Sequence, residues 1–498
     1  MDIEQFRKAG YQAIDNICDH FYNLQNLPVR PDVEPGFLAK SLPDAPPEKG
    51  EDFQLIADDY HKVILPGMTY WPHPSFFGYF PTACTFEAIL GDLYASSVPN
   101  PGFNWAASPA ATELEMVVMD WLAKLFHLSP DFLNSSGIGG GALQTTASDS
   151  ALIAVVAARS KYQKNHPDIP IEKMIVYVTS QTHSLGAKAA LVLGVQVRTL
   201  EATTEDDFGL RGATLAAALK EDIDMGLHPF VLVGTVGTTS SGAVDNITEI
   251  VQTLKSVDRD VWLHIDAAWA GIALSCPEYH DWAHLKAINE YAHSFCTNLH
   301  KWGLTNFDAS TLWVRNRRWL NDALDVTPEF LRTAQGDAGT AIDYRNWHLA
   351  LGRKFRSLKV WFVLRAYGTE GFQKMVRRHV NLNEKFIDLV KSSNLLTLVA
   401  TPSLSLSVFR LDPVDTTSGE RRSRSATADA LNTLNVQLHK RLSSRSDVWL
   451  TQTSLNGTFC VRLAIGSTNT EEKHIDHVFK LICEESEATL KAEKWLKD

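Results

Sequence analysis

Four short runs, Met174 to Thr179, Val231 to Val236, Val261 to Ile265 and Thr311 to Val314, contain no Asp, Glu, Lys or Arg and are separated by segments of helical periodicity. A strand that is apolar on both faces needs cover on both faces, so these runs predict a mostly parallel sheet between layers of helix. Thr112 to Leu125 and Asp149 to Lys161 read as two of those helices, and residues from about 110 to 315 are expected to alternate helix and strand. The fold class is therefore α/β.

With 498 residues, 45% of them hydrophobic and 21% charged, the chain can form two or three units. Beyond the helical stretch Arg356 to Tyr367 the pattern changes. Leu404 to Arg410 and Cys460 to Ala464 read as strands with one face in water, followed by an amphipathic helix, which predicts a small α+β domain over 371–498 beside a large domain over 91–370. At the other end, Ile3, Phe6, Gly10, Ile14, Ile17 and Phe21 fall on one helical face, and a proline-rich connector follows from Pro28 to Pro47. An apolar face on such a tether needs a surface to cover. Residues 1–90 are expected to form a helical segment that packs on a second subunit.

The net charge of −11 and the lack of a basic stripe argue against a nucleic-acid partner. The one basic cluster, Arg421, Arg422 and Arg424, lies among Ser and Thr and reads as an exposed loop. No apolar run is long enough to span a membrane, and the N-terminus reads as an amphipathic helix and not as a signal peptide. Six scattered cysteines without CxxC spacing suggest no disulfide framework and fit the reducing cytoplasm. His280 with His284, and His474 with His477, have helical spacing but no supporting ligand cluster, so no metal is expected.

Asp266 follows the apolar run Val261 to Ile265, and Lys301 stands in Asn298-Leu299-His300-Lys301-Trp302. A carboxylate and a lysine so placed suit pyridoxal 5'-phosphate: the acid holds the pyridine nitrogen protonated, which keeps the ring an electron sink, and the amine meets the aldehyde. An anion site can be sought separately. Ser136 to Gly141 runs through Thr145, Thr146, Ala147 and Ser148 into a helix, offering small residues and backbone N–H groups at a helix N-terminus. His183 and Thr239 each follow an apolar run. Ligands of open α/β sheets bind beyond the carboxyl ends of the strands, so His183, Thr239, Asp266 and Lys301 are expected in one crevice.

With these segments in view, the chain resembles the group II pyridoxal-phosphate decarboxylases, and within them the aromatic-L-amino-acid decarboxylases, over nearly its whole length. The resemblance is carried by Trp71 to Thr82, Phe103 to Pro109, Asn298 to Trp302 and Asp343 to Arg345. It implies fold type I and an intertwined homodimer with active sites at the subunit interface. Lys301 matches the lysine that carries the cofactor, Asp266 the partner of the pyridine nitrogen, His183 the imidazole stacked on the ring, and Ala268 the residue beneath it. Ala147, Ser148, Asn298 and His300 match positions around the phosphate, and Thr239 lies near the ring hydroxyl. Trp71, Tyr79, Phe80, Pro81 and Thr82 resemble the substrate wall, with Pro101 and Phe103 reaching over from the partner. Pro101 stands where relatives often carry an aliphatic residue.

The implied reaction is decarboxylation of an aromatic L-amino acid to the arylethylamine, an aromatic-lined pocket favouring an aromatic side chain. Gly352 matches a position where some phenol-selective relatives carry serine, which points away from strict phenol selection. In Thr327 to Arg332 the family's decarboxylases place a tyrosine where Phe330 stands. Members with phenylalanine there resemble aromatic aldehyde synthases, so the alternative product is the aryl acetaldehyde, with ammonia and hydrogen peroxide. An aminotransferase would share Lys301 and Asp266 but should also offer an arginine for the substrate carboxylate. A non-catalytic interaction protein would have no need of Lys301, Asp266 and His183 together.

Overall fold

In a computed structural model, which describes residues 1–495 apart from 83, 258, 340, 416 and 417, seven strands form one sheet in the order β1-β7-β6-β5-β4-β2-β3. They are β1 (Gly140–Gln144), β2 (Met174–Thr179), β3 (Gln196–Leu200), β4 (His228–Thr235), β5 (Trp262–Asp266), β6 (Ser294–Asn298) and β7 (Ser310–Val314). Five neighbours, β3 through β6, run parallel, and β7 runs antiparallel to both β6 and β1. Alternate residues serve two cores. Ile175, Tyr177, Leu232, Leu263 and Ile265 share one core with the helices Pro109–Leu125, Gly212–Asp224 and Ile247–Ser256. Met174, Val176, Val231, Val233 and Trp262 pack with the Ala147–Asn165 helix on the opposite face. That two-sided burial is why the strands read as unbroken apolar runs.

The Gly139-Gly140-Gly141 run differs from its expected role. It is not an anion loop, because Gly140 and Gly141 open β1, and the glycines answer to packing instead. A Cβ on Gly139 would stand 1.8 Å from the Asp131 carbonyl oxygen, and one on Gly141 would stand 2.5 Å from the Trp313 ring.

A second sheet, antiparallel in the order β10-β11-β9-β8, comprises β8 (Leu396–Leu398), β9 (Leu406–Leu411), β10 (Thr451–Leu455) and β11 (Thr458–Ala464). The expectation of a wet face on β9 and on Cys460 to Ala464 is overturned, since all of these residues are buried. Leu406 and Val408 join the core of the large sheet, whereas Phe409 and Leu411 pack with the helices Ala428–Ser444 and Glu472–Ala492. The small sheet is thus sandwiched between the large domain and its own helices.

One long helical segment, Arg356–Ser392, links the two parts, broken at Gly368, where φ is +57°. Val360, Val363, Phe372 and Val376 belong to the large core, and Leu382, Phe386 and Val390 to the small one. Arg421 and Arg422 are also not freely exposed. Both are half-buried, Arg421 donating to the Asp412 and Ser393 carbonyls and Arg422 pairing with Asp415.

The N-terminal helix, Ile3–Asn23, buries none of its residues, and Ile3 and Phe6 are 70% and 59% exposed. With residues 53 to 72 it borders an apolar cavity of about 670 Å³. No helix among the described residues is long and apolar enough to cross a membrane.

Because two backbone carbonyls occupy the space beside Gly139, Gly139→Ala is expected to cost about 2–3 kcal/mol by overpacking. Gly50→Ala, where nothing lies within 4 Å, should be neutral. Urea unfolding of both variants checks this, and equal midpoints would refute it.

Candidate active site

Asp266 is the last residue of β5, next to β6, where it pairs in register with Cys296. Its Oδ1 accepts the Ala268 N–H at 3.0 Å, which turns the chain sharply and brings Ala268 to the same crevice. From β6 the chain enters the short helix Leu299–Trp302 that carries Lys301. Two adjacent parallel strands therefore deliver a carboxylate and an amine to one end of the sheet. His183 follows β2 after a turn stitched by Thr179 and Thr182, and Thr239 follows β4.

These strand ends enclose a cavity of about 210 Å³. All nine residues expected around the cofactor line it: Ala147, Ser148, His183, Thr239, Asp266, Ala268, Asn298, His300 and Lys301. Thr146, Leu185, Thr235, Gly237, Trp269 and Phe80 complete the lining.

Enclosure sets the protonation states. Lys301 is half-buried, and loss of hydration lowers its pKa while the Asp266 charge works against that shift. His183 is lowered, again chiefly by desolvation. Burial brings His300 down to about 4, so its ring is neutral. The Ala309 N–H donates to His300 Nδ1 at 3.0 Å, so the ring proton sits on Nε2 and His300 is a hydrogen-bond donor there.

At the start of the Ala147–Asn165 helix, Thr146 and Asp149 form a capping box. The Ala147 and Ser148 N–H groups precede the first intrahelical bond, at the positive end of the helix dipole. Asn298 Oδ1 and Thr235 Oγ1 are buried without a hydrogen-bond partner although both residues line the cavity. A free helix N-terminus to donate to a phosphate, an amine for an aldehyde, and a carboxylate and an orphaned amide oxygen to accept from ring N–H and O–H groups fit pyridoxal phosphate.

The substrate-wall residues divide into two groups. Phe80 lines the cavity, its ring centre 5.4 Å from Lys301 Nζ and 4.6 Å from Trp269. Trp71 stacks on Tyr79 at 5.4 Å but borders the apolar cavity under the N-terminal helix; Pro81 is buried, and Thr82 is half-buried. Pro101, Phe103 and Gly352 gather elsewhere. Arg353 N–H donates to the Pro101 carbonyl, and a Cβ on Gly352 would lie 3.9 Å from Pro101 Cβ. None of the three lines this cavity. Phe330 does not line it either and is 81% exposed, on a short helical turn, Glu329–Leu331.

Sequence reasoning put Thr146 in the anion segment but missed it among the cavity residues, although the Thr146–Asp149 spacing of a capping box was visible. It also missed Arg462, whose pKa is pushed down to about 10 by burial and whose guanidinium lies 5.0 Å from the centre of the Phe80 ring. Arg462 donates to Thr451 Oγ1 and to the Tyr79 carbonyl. A lone arginine within the apolar run of β11 was the available signal.

The doubly covered sheet and a lysine–aspartate pair at its strand ends define a pyridoxal-phosphate enzyme of fold type I. Residues 35–412 match the pyridoxal-dependent decarboxylase conserved domain, and the chain belongs to that family. It is 40% identical over 493 residues to tryptophan decarboxylase 2 of Oryza sativa subsp. japonica, covering 98% of this chain and 96% of the relative. It is 39% identical over 489 residues to phenylacetaldehyde synthase of Arabidopsis thaliana, with 98% and 96% covered. The crystal structure of Oryza sativa TDC with PLP and tryptamine superposes with a TM-score of 0.92 at 34% identity, covering 98% of this chain and 99% of that one. The chain is a pyridoxal-phosphate-dependent carboxy-lyase.

Borohydride reduction of the pyridoxal-phosphate-loaded protein, followed by peptide mapping, should place the reduced adduct on Lys301. An adduct on another lysine, or an unaltered yield in Lys301→Ala, would overturn the assignment.

Proposed function

We propose that the protein decarboxylates aromatic L-amino acids to arylethylamines, as a homodimer in the cytoplasm. The observation that carries this reading is the cavity that joins Lys301, Asp266 and His183 to the aromatic ring of Phe80. Bound pyridoxal phosphate supplies a protonated pyridine ring that takes up the electron pair released when the Cα–carboxylate bond breaks. Lys301 would supply the amine that holds the cofactor. Asp266 keeps a proton on the ring nitrogen. His183 and Ala268 would hold the ring between them, with Thr239 toward its hydroxyl. Ala147 and Ser148, through their N–H groups, hold the phosphate together with Asn298 and His300 Nε2.

Trp71, Tyr79, Phe80, Pro81 and Thr82 form the substrate wall of one subunit, and Pro101, Phe103 and Gly352 complete it from the other. Two observations support sharing: Pro101 and Gly352 are exposed and lie outside the cavity lining, and the N-terminal helix buries none of its residues. Six free cysteines fit a reducing compartment.

A second reading is favoured by Phe330. A phenyl ring has no proton to return to Cα, whereas a phenol at this place would. If no other acid serves, the amino acid with O₂ and water yields aryl acetaldehyde, CO₂, ammonia and hydrogen peroxide. Amine, aldehyde, peroxide and oxygen uptake measured with tryptophan, tyrosine, phenylalanine and dihydroxyphenylalanine separate the two products. Small polar amino acids should not turn over, and robust turnover of them would refute the aromatic assignment.

Phe330→Tyr is expected to raise the ratio of amine to aldehyde at least about tenfold in any aldehyde-forming background, because a positioned acid contributes about 10²- to 10⁴-fold to proton transfer. The rate of CO₂ release should change far less, since the bond broken first is untouched. A wild-type protein that forms amine alone without oxygen uptake would eliminate the second reading.

A further inference from the structure

β1 is an edge strand of the large sheet, and its open side is gripped by residues 344–353 instead of another strand. Arg353 donates from Nη1 to Glu115 Oε2 at 2.9 Å, and from Nη2 to Glu115 Oε1 at 2.6 Å and to the Leu143 carbonyl at 2.8 Å. The Leu143 N–H donates back to Glu115 Oε1 at 2.7 Å. Glu115 is 3% exposed and Arg353 6%. The guanidinium lies 4.7 Å from the centre of the Tyr344 ring, whose hydroxyl donates to the Gly141 carbonyl at 3.3 Å.

A buried ion pair of this kind adds little net stability over apolar side chains of the same volume, because desolvation of both charges offsets their attraction. It does fix a direction, since two parallel N–H···O bonds constrain a planar guanidinium strictly. That direction is passed to one surface turn. The Arg353 N–H donates to the Pro101 carbonyl at 2.6 Å, and Gly352, the residue before it, lies against Pro101. The chain reverses at Gly102, where φ is +50°, and the Phe103 carbonyl accepts the Arg345 N–H at 3.1 Å.

We propose that the Glu115–Arg353 pair positions the substrate in trans: it holds the Pro101–Phe103 turn and Gly352 of one subunit against the side chain of the amino acid bound in the partner's cavity. This deepens the shared-site reading above and rests on it. Neither residue touches substrate, and both act through the turn. Loosening the pair displaces a wall that meets the substrate side chain before and during reaction alike, so KM rises while kcat holds.

Hybrid dimers assembled from differently tagged subunits test this. In the first, one subunit carries Lys301→Ala with Glu115→Gln and the other is wild type, so the only working cavity is served by the altered turn. KM for the preferred aromatic amino acid should rise about tenfold with kcat within about twofold. In the second, Glu115→Gln is in the subunit with the working Lys301 and its partner carries Lys301→Ala alone; KM should match wild type. Arg353→Lys, which keeps the cation but loses the fork, should behave in the same way and serves if Glu115→Gln fails to assemble.

A KM change that follows the altered subunit's own cavity, or none in either arrangement, overturns the proposal. Phe103→Ala in the same two arrangements tests the shared site itself. If Phe103→Ala acts only on its own cavity, the shared-site reading fails. If it acts in trans while Glu115→Gln and Arg353→Lys do not, the reading stands and only this inference falls.

Discussion

An enclosed amine beside an enclosed carboxylate is the constraint on which the rest of the structure depends. Lys301 loses hydration in the cavity, which favours the neutral amine, while Asp266 pulls it back toward the ammonium. The Arg462 charge pushes the lysine further down, while burial keeps the neighbouring thiol and imidazole uncharged. The Cys296 thiol, 3.9 Å from Asp266 Oδ1, is held well above its ordinary value and stays neutral. His264, on the same strand as Asp266, is brought down to about 4 and is neutral as well. With Oδ1 taken by the Ala268 N–H and the Cys296 thiol, Asp266 Oδ2 would answer the cofactor's ring nitrogen.

Holding that pair in place falls to a ladder of rings. Phe80 stacks on Trp269 at 4.6 Å, Trp269 on Trp302 at 5.6 Å, and Trp302 lies 6.3 Å from His379 with the planes 13° apart. The Trp302 Nε1–H donates to His379 Nδ1 at 2.8 Å, tying the residue after Lys301 to the long helical segment that joins the two sheets. The small sheet reaches the cavity from the same side: Thr453 of β10 hydrogen-bonds Ser240 beside Thr239, and Arg462 of β11 lies near Phe80. The small sheet thus abuts the site, and β9 is buried on both faces because the large core covers one and the helices Ala428–Ser444 and Glu472–Ala492 the other.

Much of this was legible in the sequence because the large sheet's signals are local. Unbroken apolar runs mark strands covered on both sides, and polar residues just after them mark the ligand end. β1, β3 and β6 were less visible. β1 is glycine-rich because the Asp131 carbonyl, Asn134 and the Trp313 ring crowd it, which resembles a loop in one dimension. β3 is an edge strand, its residues mostly exposed, and β6, Ser294 to Asn298, is only partly apolar in sequence. The face toward water on the small sheet was misread because cover there comes from another domain, and no periodicity within β9 reports that. The Glu115–Arg353 pair was invisible for a similar reason, since its meaning lies in partners far away in the chain, and Arg462 showed only as a lone arginine in an apolar run.

The central claim is that this lysine–aspartate site breaks the Cα–carboxylate bond. The most direct measurement is the fate of a carbon-13 label in the carboxyl group of an aromatic L-amino acid incubated with the pyridoxal-phosphate-loaded protein. Labelled CO₂ should equal the substrate consumed, with the rate at least about 10²-fold lower in Asp266→Asn. Label retained in a 2-oxo acid would contradict it, because the site would then be transaminating its substrate.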